Sequence, residues 1–346
     1  GSYRGDNGLA YFDLNDFDEG ALGPATWELA RFLTSVLLAA DSLGLSAEQS
    51  TALSRGFLTA YADALADGKA RWVERATSIG MVRDLLGSVK RRSRAALLDA
   101  RTVSDGTRRM LRIDGRRTLA LPKGTRADVV ECLERFAASQ PDPRQFKVID
   151  VARRVAGTGS LGVMRFVVLV RGSGAPNGYL LLDLKEARPS ALAPYVDVAQ
   201  PAWADEADRV LRIQRRMQAI SPALLQAVSL EGRRFILKEL QPTADRLALE
   251  HWNGRLGRLQ RVMTTMGHLV AWAQLRSGSR DGSGGADSLI AFARTKGWRT
   301  DLVRYARQYR RTVQRDWRRF AAAFEAGSLG VSPPAAANKE SVRRRK

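Results

Sequence analysis

The stretch of sequence that decides the fold is Gly157-Thr-Gly-Ser-Leu-Gly162, followed directly by Val163-Met-Arg-Phe-Val-Val-Leu-Val170. The second segment is apolar and rich in β-branched residues, which is typical of a strand. In a dinucleotide-binding fingerprint the glycines open a helix, whose N-terminus then meets the pyrophosphate. Because these glycines open a strand, the sequence argues against that fingerprint and predicts a glycine loop between two strands.

A further strand with a terminal lysine follows after a turn of glycine, proline and asparagine. It reads Tyr179-Leu-Leu-Leu-Asp-Leu184 and ends in Lys185-Glu186. This order of strand, glycine loop, strand, turn and lysine-ended strand resembles the nucleotide lobe of protein kinases, where backbone amides cover the phosphates and the lysine contacts them. Taken alone, the glycines are equally compatible with an ordinary tight turn, and the lysine with a solvated strand end.

The segment 203–217 supplies a candidate partner for this lysine. Its apolar residues recur every three or four positions, which predicts a helix. Glu206, in the acidic first turn, would pair with Lys185 as the helix glutamate does in kinases. Asp205 and Asp208 are alternatives for the same role. An acid at a helix start also complements the helix dipole, so this position has a purely structural explanation as well.

Composition sets the outer limits of the interpretation. The chain has 346 residues, of which 45% are hydrophobic, enough for a bilobal protein with an ample core. Its longest strongly apolar stretch, Phe32–Ala40, is shorter than the ~20 residues of a membrane-spanning helix. We therefore expect no membrane partner and a cytoplasmic location. With one cysteine and two histidines, the chain has too few of these residues for a cysteine/histidine metal cluster. Cys132, His251 and His268 are instead expected in the core.

The net charge of +20 is the strongest compositional signal. Basic residues are spread along the predicted helices, and such a field binds polyanions non-specifically at low salt and also suits phosphate-bearing substrates. The sequence contains no zinc finger, no RNP-type aromatic motif and no convincing helix-turn-helix. Nucleic-acid binding is therefore an alternative that the charge alone supports.

An acidic segment near the start of the chain is a candidate metal site. A short strand is predicted at Leu9-Ala-Tyr-Phe12, and Asp13-Leu-Asn-Asp-Phe-Asp-Glu19 follows it. Four acids within seven residues repel one another, so a counter-charge is expected. Mg²⁺ takes one or two carboxylates together with phosphate oxygens, which suits this segment. The alternative is an acidic turn that caps the helix predicted over 25–39.

Taken together, these motifs resemble a bacterial family called domain of unknown function 2252. The resemblance runs from Gly1 to about Phe324, and the motifs that carry it are Tyr11-Phe-Asp-Leu-Asn-Asp-Phe-Asp-Glu19, Gly23-Pro24, Trp27-Glu-Leu-Ala-Arg31, Arg154-Val-Ala-Gly-Thr-Gly-Ser-Leu-Gly162 and Leu184-Lys-Glu-Ala187. It implies a kinase-like fold, closer to aminoglycoside phosphotransferases than to protein kinases. The cofactors implied are ATP and Mg²⁺.

The resemblance also implies roles for individual residues. Asp16-Phe17-Asp18 is similar to the metal-binding DFG-type triplet, with Asp16 as the Mg²⁺ ligand and Asp18 as a second candidate. Lys185 would orient the α- and β-phosphates, and Glu206 would hold Lys185. Backbone groups near Glu239 and Leu240 would meet the adenine. The phosphates would be covered by the loop residues Gly157, Thr158, Gly159, Ser160 and Gly162.

Two further expectations concern the order of the chain. In the family a GD-x-H-x-x-N-F-G segment, with the base aspartate and a metal-binding asparagine, precedes the metal strand. The sequence starts at the last glycine of that segment, so we expect an N-terminally truncated fragment without the catalytic aspartate. The metal loop also lies about 140 residues before the glycine loop, the reverse of kinases, which implies a circularly permuted arrangement.

The sequence thus predicts an α+β, bilobal, kinase-like fold with an antiparallel nucleotide-lobe sheet and a mainly helical lobe. Residues 1–105 would give the metal-loop strand and helices, 106–242 the β-rich nucleotide lobe, 243–326 the remaining helices, and 327–346 a disordered basic tail. A hairpin is expected over Arg112–Leu121, with a turn at Asp114-Gly115. The expected function is binding of Mg·ATP and, in a complete protein, phosphoryl transfer to an unknown acceptor. The alternatives are a non-catalytic module that binds nucleotide or polyanion, and a basic nucleic-acid-binding protein.

Overall fold

The computed structural model describes residues 1–91, 94–104, 106, 108–157, 162–172, 178–241 and 246–330. The predicted phosphate-covering residues Thr158, Gly159 and Ser160 lie outside the described residues, as does the predicted tail beyond residue 330. The described residues form ten strands and nine α-helices, which confirms the α+β class.

The bounds of these elements are as follows. The strands are β1 (Ser2–Arg4), β2 (Ala10–Phe12), β3 (Thr102–Ser104), β4 (Arg109–Leu111), β5 (Thr118–Leu119), β6 (Val148–Arg154), β7 (Arg165–Arg171), β8 (Tyr179–Glu186), β9 (Gln226–Leu230) and β10 (Arg233–Glu239). The helices are α1 (Thr26–Ala39), α2 (Ala47–Asp67), α3 (Gly80–Arg91), α4 (Arg94–Arg101), α5 (Lys123–Ala138), α6 (Glu206–Met217), α7 (Leu256–Ser277), α8 (Ala286–Arg294) and α9 (Trp298–Glu325).

The chain divides into two compact units. Unit 1 comprises Gly1–Pro24 and Thr59–Arg294, and it contains all ten strands. Unit 2 comprises Ala25–Leu58 and Thr295–Lys346, and its described part contains α1, the start of α2 and α9. Both units therefore join segments that are far apart in sequence.

The main sheet of unit 1 has six strands in the order β5-β6-β7-β8-β10-β9, and every neighbouring pair is antiparallel. The glycine loop connects β6 to β7, as the sequence predicts. Helix α6 lies in sequence between β8 and β9. The strands from Val148 to Glu186 and the helix after them therefore follow the order that the sequence predicts.

Most side chains of the central strands are apolar because both faces of the sheet are covered. On one face Val168, Leu182 and Leu237 pack against Leu133 and Phe136 of α5. The buried thiol of Cys132 belongs to this same cluster, and burial raises its pKa. Cys132 is therefore a core residue, as the sequence predicts.

The opposite face of the sheet changes character along the strands. At one end Ala152, Leu169 and Leu181 pack against Leu98 of α4 and Leu111 of β4. Farther along, Ile236 packs against α6 through Val210 and Leu211. The same face also carries buried charged residues, which are described below. Because apolar and charged positions both occur on this face, the strand sequences are less continuously apolar than those of a sheet with an apolar core on each face.

The predicted hairpin over Arg112–Leu121 is not formed as a strand pair. Strand β4 pairs with β3, and β5 pairs with β6. The Asp114-Gly115 turn itself is present, because the Asp114 carboxylate accepts hydrogen bonds from the backbone N–H groups of residues 116, 117 and 118. These bonds hold the pKa of Asp114 at about 2. The carboxylate closes the loop locally while each flanking strand finds a different partner.

The helices of unit 1 enclose a further apolar cluster, in which Phe12 of β2 packs against Val82 and Leu86 of α3 and Leu269 of α7. His268 of α7 lies beside Trp272, with the two ring centroids 5.3 Å apart, and burial lowers its pKa. His251 is exposed, so its predicted core position is wrong. In the described parts of the chain no helix is both long enough and apolar enough to span a bilayer.

Unit 2 is built around the contact between α1 and α9. Leu29, Leu33 and Leu37 of α1 are buried, and the ring of Phe32 lies 4.3 Å from that of Phe57 in α2. Helix α9 buries Val303 and Ala306 near its start. Most of its remaining length is arginine-rich and exposed.

Candidate functional site

The acidic segment after β2 forms an irregular loop with an unusual backbone at Asp16. Asp16 is exposed and has a φ of 73°, in the left-handed region. Non-glycine residues in this region are uncommon, and aspartate is among the few that tolerate it. Phe17 is buried against α6, so its side chain anchors the loop between Asp16 and Asp18. The loop thus presents two carboxylates on either side of a buried aromatic residue.

The first acid of the segment, Asp13, has a structural role. Its side chain is buried and accepts hydrogen bonds from the N–H groups of Leu14 and Ala219. Burial raises its pKa, and the guanidinium of Arg276, 3.6 Å away, opposes that shift. Asp13 therefore holds the start of the loop against the segment that follows α6.

A buried arginine that the sequence analysis did not identify fixes the rest of this loop. The guanidinium of Arg209, in α6, donates to the carbonyl oxygens of Asp18 (2.8 Å), Gly20 and Arg188 (2.8 Å). Its side chain is 5% exposed. The sequence offers one signal for this role, because the arginine precedes Val210 in a helix whose apolar residues recur every three or four positions. A guanidinium buried on such a helix needs several hydrogen-bond acceptors, which the loop carbonyl groups supply.

The predicted ion pair between Lys185 and Glu206 is not formed. Glu206 Oε2 instead accepts from Arg209 Nε at 2.6 Å, one helical turn along α6. Asp205 is the N-cap residue of α6 and accepts from the N–H of Asp208. Glu206 lies in the first turn of the helix, so the nearest cation on its own helix takes the carboxylate. Its role is to orient Arg209.

Lys185 pairs with Asp18 instead. The Lys185 Nζ atom donates to Asp18 Oδ2 across 167 residues of sequence. The lysine side chain is 18% exposed and the aspartate side chain 35% exposed. The structure therefore brings together two residues that the sequence analysis selected from separate motifs, one as a phosphate contact and one as a metal ligand.

Buried arginines and an aspartate surround Lys185 on the same face of the sheet. Asp183 lies two residues before Lys185 in β8, and Arg165 of β7 is directly opposite Lys185. Asp183 accepts from Arg165 through both oxygens (2.8 and 2.5 Å) and from Arg154 at 2.7 Å. Burial raises the pKa of Asp183, but these two guanidinium groups outweigh it and the pKa lies below its usual range.

Lys238 adds a further cation to this face. It lies opposite Asp183 in the β8–β10 pair, and its own pKa is lowered because it is shielded from solvent, with Asp183 opposing the shift. Within the described residues the side chain of Lys238 makes no hydrogen bond or ion pair. Its place in the site does not follow from the sequence, because a lysine near a strand end is usually solvated. Four cations therefore lie at this face together with two anions: Arg154, Arg165, Lys185 and Lys238 with Asp183 and Asp18.

The described ends of the glycine loop join the strands that carry these arginines. Gly157 and Gly162 have φ values of 76° and 80°, which glycine adopts without steric cost. A Cβ atom at either position would meet no atom of the described residues within 4 Å. As far as these residues go, a ligand can lie close to the backbone at both ends.

Glu239 and Leu240, the predicted adenine contacts, use their backbone N–H groups within the chain. The N–H of Glu239 donates to Ala223 O at 3.1 Å, and that of Leu240 to Leu181 O at 2.8 Å. Leu240 is buried in the cluster formed with Leu181. Adenine could accept hydrogen bonds from these two N–H groups only if their bonds to Ala223 and Leu181 were broken.

The donor set limits the metals that the loop can hold. In the described parts of the chain no group of three or more His, Cys, Asp or Glu side chains is arranged to bind a metal ion. Asp16 and Asp18 supply two carboxylates, which is the number Mg²⁺ uses when substrate phosphates complete its shell. The residues present therefore fit Mg²⁺ bound together with a phosphate ligand, and do not fit a closed protein-only site.

The motifs that form this site are those of a bacterial family. The model of the family described as "Uncharacterized protein conserved in bacteria (DUF2252)" matches residues 1–323. The chain belongs to this family. The DUF2252 match covers both the acidic loop after β2 and the charged sheet. Comparison with curated proteins gives no match, and comparison with solved structures gives none either.

Proposed function

We propose that this protein is kinase-like and binds Mg·ATP at the charged face of its six-stranded sheet. Together with a catalytic base, it would transfer the terminal phosphoryl group to an acceptor. The observation that carries the proposal is the contact between Lys185 and Asp18. It joins the lysine-ended strand that follows the glycine loop to the acidic loop that follows β2, and phosphoryl-transfer sites require a lysine and a metal-binding aspartate close together.

The order of elements gives additional support. Strand β6, the glycine loop, β7 and the lysine-ended β8 are followed by a helix and then by β9 and β10, as in a kinase nucleotide lobe. The acidic loop comes earlier in the chain, so the kinase-like arrangement would be circularly permuted. We retain the permutation as part of the proposal, because the sheet order and the Lys185–Asp18 contact both agree with it.

The residues of the site have distinct roles in the proposal. Lys185 would leave Asp18 and contact the α- and β-phosphates when nucleotide enters. Asp16 and Asp18 would hold Mg²⁺, which neutralises charge that develops on the transferring phosphoryl group. Arg154 and Arg165 would keep the electrostatic potential at the phosphate site positive. The backbone of the glycine loop would cover the phosphates. Arg209 holds the Asp18 backbone in place, and Glu206 orients Arg209.

The acceptor and the base are the finer parts of the proposal. The resemblance implies that a base aspartate belongs to a GD-x-H-x-x-N segment, and we assign that role to none of the described residues. For this chain the testable activity is therefore nucleotide binding. Phosphate release or transfer by a protein that carries that segment would distinguish an enzyme from a non-catalytic nucleotide-binding module.

The test is calorimetric titration of Mg·ATP into the wild type and Lys185→Ala. Lys147→Ala is the matched control, because Lys147 is an exposed lysine just before β6. We expect Lys185→Ala to weaken binding about tenfold or more, since a hydrogen bond to a charged group contributes about 1.5–3 kcal/mol. Lys147→Ala should bind as the wild type does.

A second arm tests the metal. Asp16→Asn keeps a residue that tolerates the left-handed backbone but removes the charge. We expect ATP to bind this variant with the same affinity in the presence and absence of Mg²⁺, whereas Mg²⁺ should strengthen binding to the wild type.

Equal, weak binding of Mg·ATP to the wild type, Lys185→Ala and Lys147→Ala would refute the nucleotide site.

A further inference from the structure

Unit 2 contains a cavity lined by arginines that the nucleotide proposal does not use. The cavity has a volume of about 530 Å³. Four guanidinium groups line it, those of Arg55, Arg304, Arg307 and Arg311. Arg55 comes from the first half of α2 and the other three from α9, so every lining residue belongs to unit 2.

The spacing along α9 explains why these arginines converge. Arg304, Arg307 and Arg311 are separated by three and four residues, so they share one face of the helix. Arg55 faces the cavity from a second helix. Like charges at this spacing destabilise a helix, and bringing a fourth cation to the same cavity adds to the repulsion.

Few acids offset this concentration of charge. Arg304 pairs with Asp301 at 2.7 Å, and both side chains are exposed. Arg307 donates to the hydroxyl of Thr51 at 2.6 Å, and the exposed carboxylate of Glu48 lies near enough to interact with its charge.

Within the described residues the side chains of Arg55 and Arg311 make no hydrogen bond or ion pair. The cavity therefore holds two guanidinium groups whose donors no described residue uses.

We propose that this cavity binds a small molecule that carries at least two phosphate groups. The planar guanidinium donates two parallel hydrogen bonds to a phosphate, so arginine is favoured where phosphate is recognised. Four cations exceed what a single phosphate needs. The volume lies in the range of small-molecule sites, which favours a compact ligand over an extended polymer. The site is independent of the proposed nucleotide site, because it shares no residue with the sheet.

The probe for this proposal is inorganic tripolyphosphate, titrated by calorimetry at 150 mM NaCl without Mg²⁺. The titrations use the Lys185→Ala background, so that the sheet contributes little to binding. Arg55→Gln and Arg311→Gln are the test variants, since both residues are exposed and the substitutions break no side-chain hydrogen bond or ion pair within the described residues. Arg319→Gln is the matched control, because Arg319 is an exposed arginine of the same helix that does not line the cavity.

We expect one tripolyphosphate per chain, about tenfold weaker binding for each test variant, and binding within about twofold of the parent for the control. Equal losses in all three variants would mean that the general positive field binds the probe, and would overturn the proposal. A stoichiometry well above one would do the same. Tighter binding of a single-stranded oligonucleotide that also depends on Arg319 would assign the helix to an extended polyanion instead.

Discussion

Asp183 is the residue on which the charged face of the sheet depends. Its side chain is 3% exposed, and those of Arg154 and Arg165 are 13% and 15% exposed. Removing one partner of a buried ion pair leaves the others without compensation. We expect Asp183→Ala to lower the free energy of unfolding by about 3–5 kcal/mol, measured by urea denaturation at pH 7.

The contribution of Asp183 to the free energy of unfolding should decrease as the pH is lowered. Its pKa is lower in the folded protein than in the unfolded chain, where it is about 3.9. The stabilisation is therefore fully present above that value and is lost as the pH falls below it. The difference between wild type and Asp183→Ala should narrow from pH 5 toward pH 3. As a control, Asp183→Leu combined with Arg154→Met, Arg165→Met and Lys238→Met should recover most of the stability, because the buried anion and the three cations around it are removed together. A quadruple variant as unstable as Asp183→Ala would contradict this account.

At the scale of elements, α6 and the acidic loop form one structural unit through Arg209. Arg209→Met would leave three carbonyl groups without their buried donor, those of Asp18, Gly20 and Arg188. We expect it to lower the free energy of unfolding by about 2–4 kcal/mol and to weaken Mg·ATP binding as well.

Arg212→Met is the matched control on the same helix. Arg212 is half-buried, pairs with Asp208 and Asp281, and lies over the ring of Trp203. Its removal leaves no buried carbonyl group without a donor, so its effect on stability should be smaller than that of Arg209→Met, and nucleotide affinity should be unchanged. If Arg209→Met lost stability but kept full nucleotide affinity, Arg209 would have no positioning role.

The elements show what local sequence can predict. The strands on both sides of the glycine loop and helix α6 follow from short-range patterns, namely β-branched runs and 3–4 spacing. The partners of Glu206 and of β4 do not follow from such patterns. A carboxylate in a first helical turn has several cations within reach, and only the packed structure selects Arg209. Likewise, the turn at Asp114 is local chemistry, but whether its flanking strands pair with each other is decided by distant strands.

At the scale of the whole molecule, net charge is the property most open to test. A chain of charge +20 repels itself in the compact state, and salt screens that repulsion. We expect the melting temperature to rise by about 2–4 °C between 20 and 300 mM NaCl. Phosphate at the same ionic strength should raise it further, because bound anions stabilise the native state.

The opposite outcome is equally informative. A melting temperature that falls with NaCl would mean that the surface ion pairs, such as Arg310–Asp41 and Arg304–Asp301, outweigh the general repulsion. Equal effects of phosphate and chloride would argue against both anion sites. Differential scanning fluorimetry over the two salt series distinguishes these cases.

The sequence located the separate parts of the candidate site but not all of their connections. Lys185, Asp16 and Asp18 belong to recognisable motifs, so motif reasoning selected them. Arg209 and Lys238 belong to none, and their importance follows from burial, which a single sequence does not reveal. The arginines of unit 2 were visible only as part of a general charge, since their convergence requires α2 and α9 to meet.

The contact between Lys185 and Asp18 has a consequence for how the protein folds. It closes a loop of 167 residues, for which the entropic cost of closure is about 4.5 kcal/mol plus a constant. Because this cost must be met before the contact forms, we expect the two side chains to meet late, after the sheet and the strands β1 and β2 have assembled. A folding intermediate with native strands but without this docking would contain all the site residues and still lack the site. Under the proposed function, nucleotide affinity would therefore report completion of folding more faithfully than secondary-structure content does.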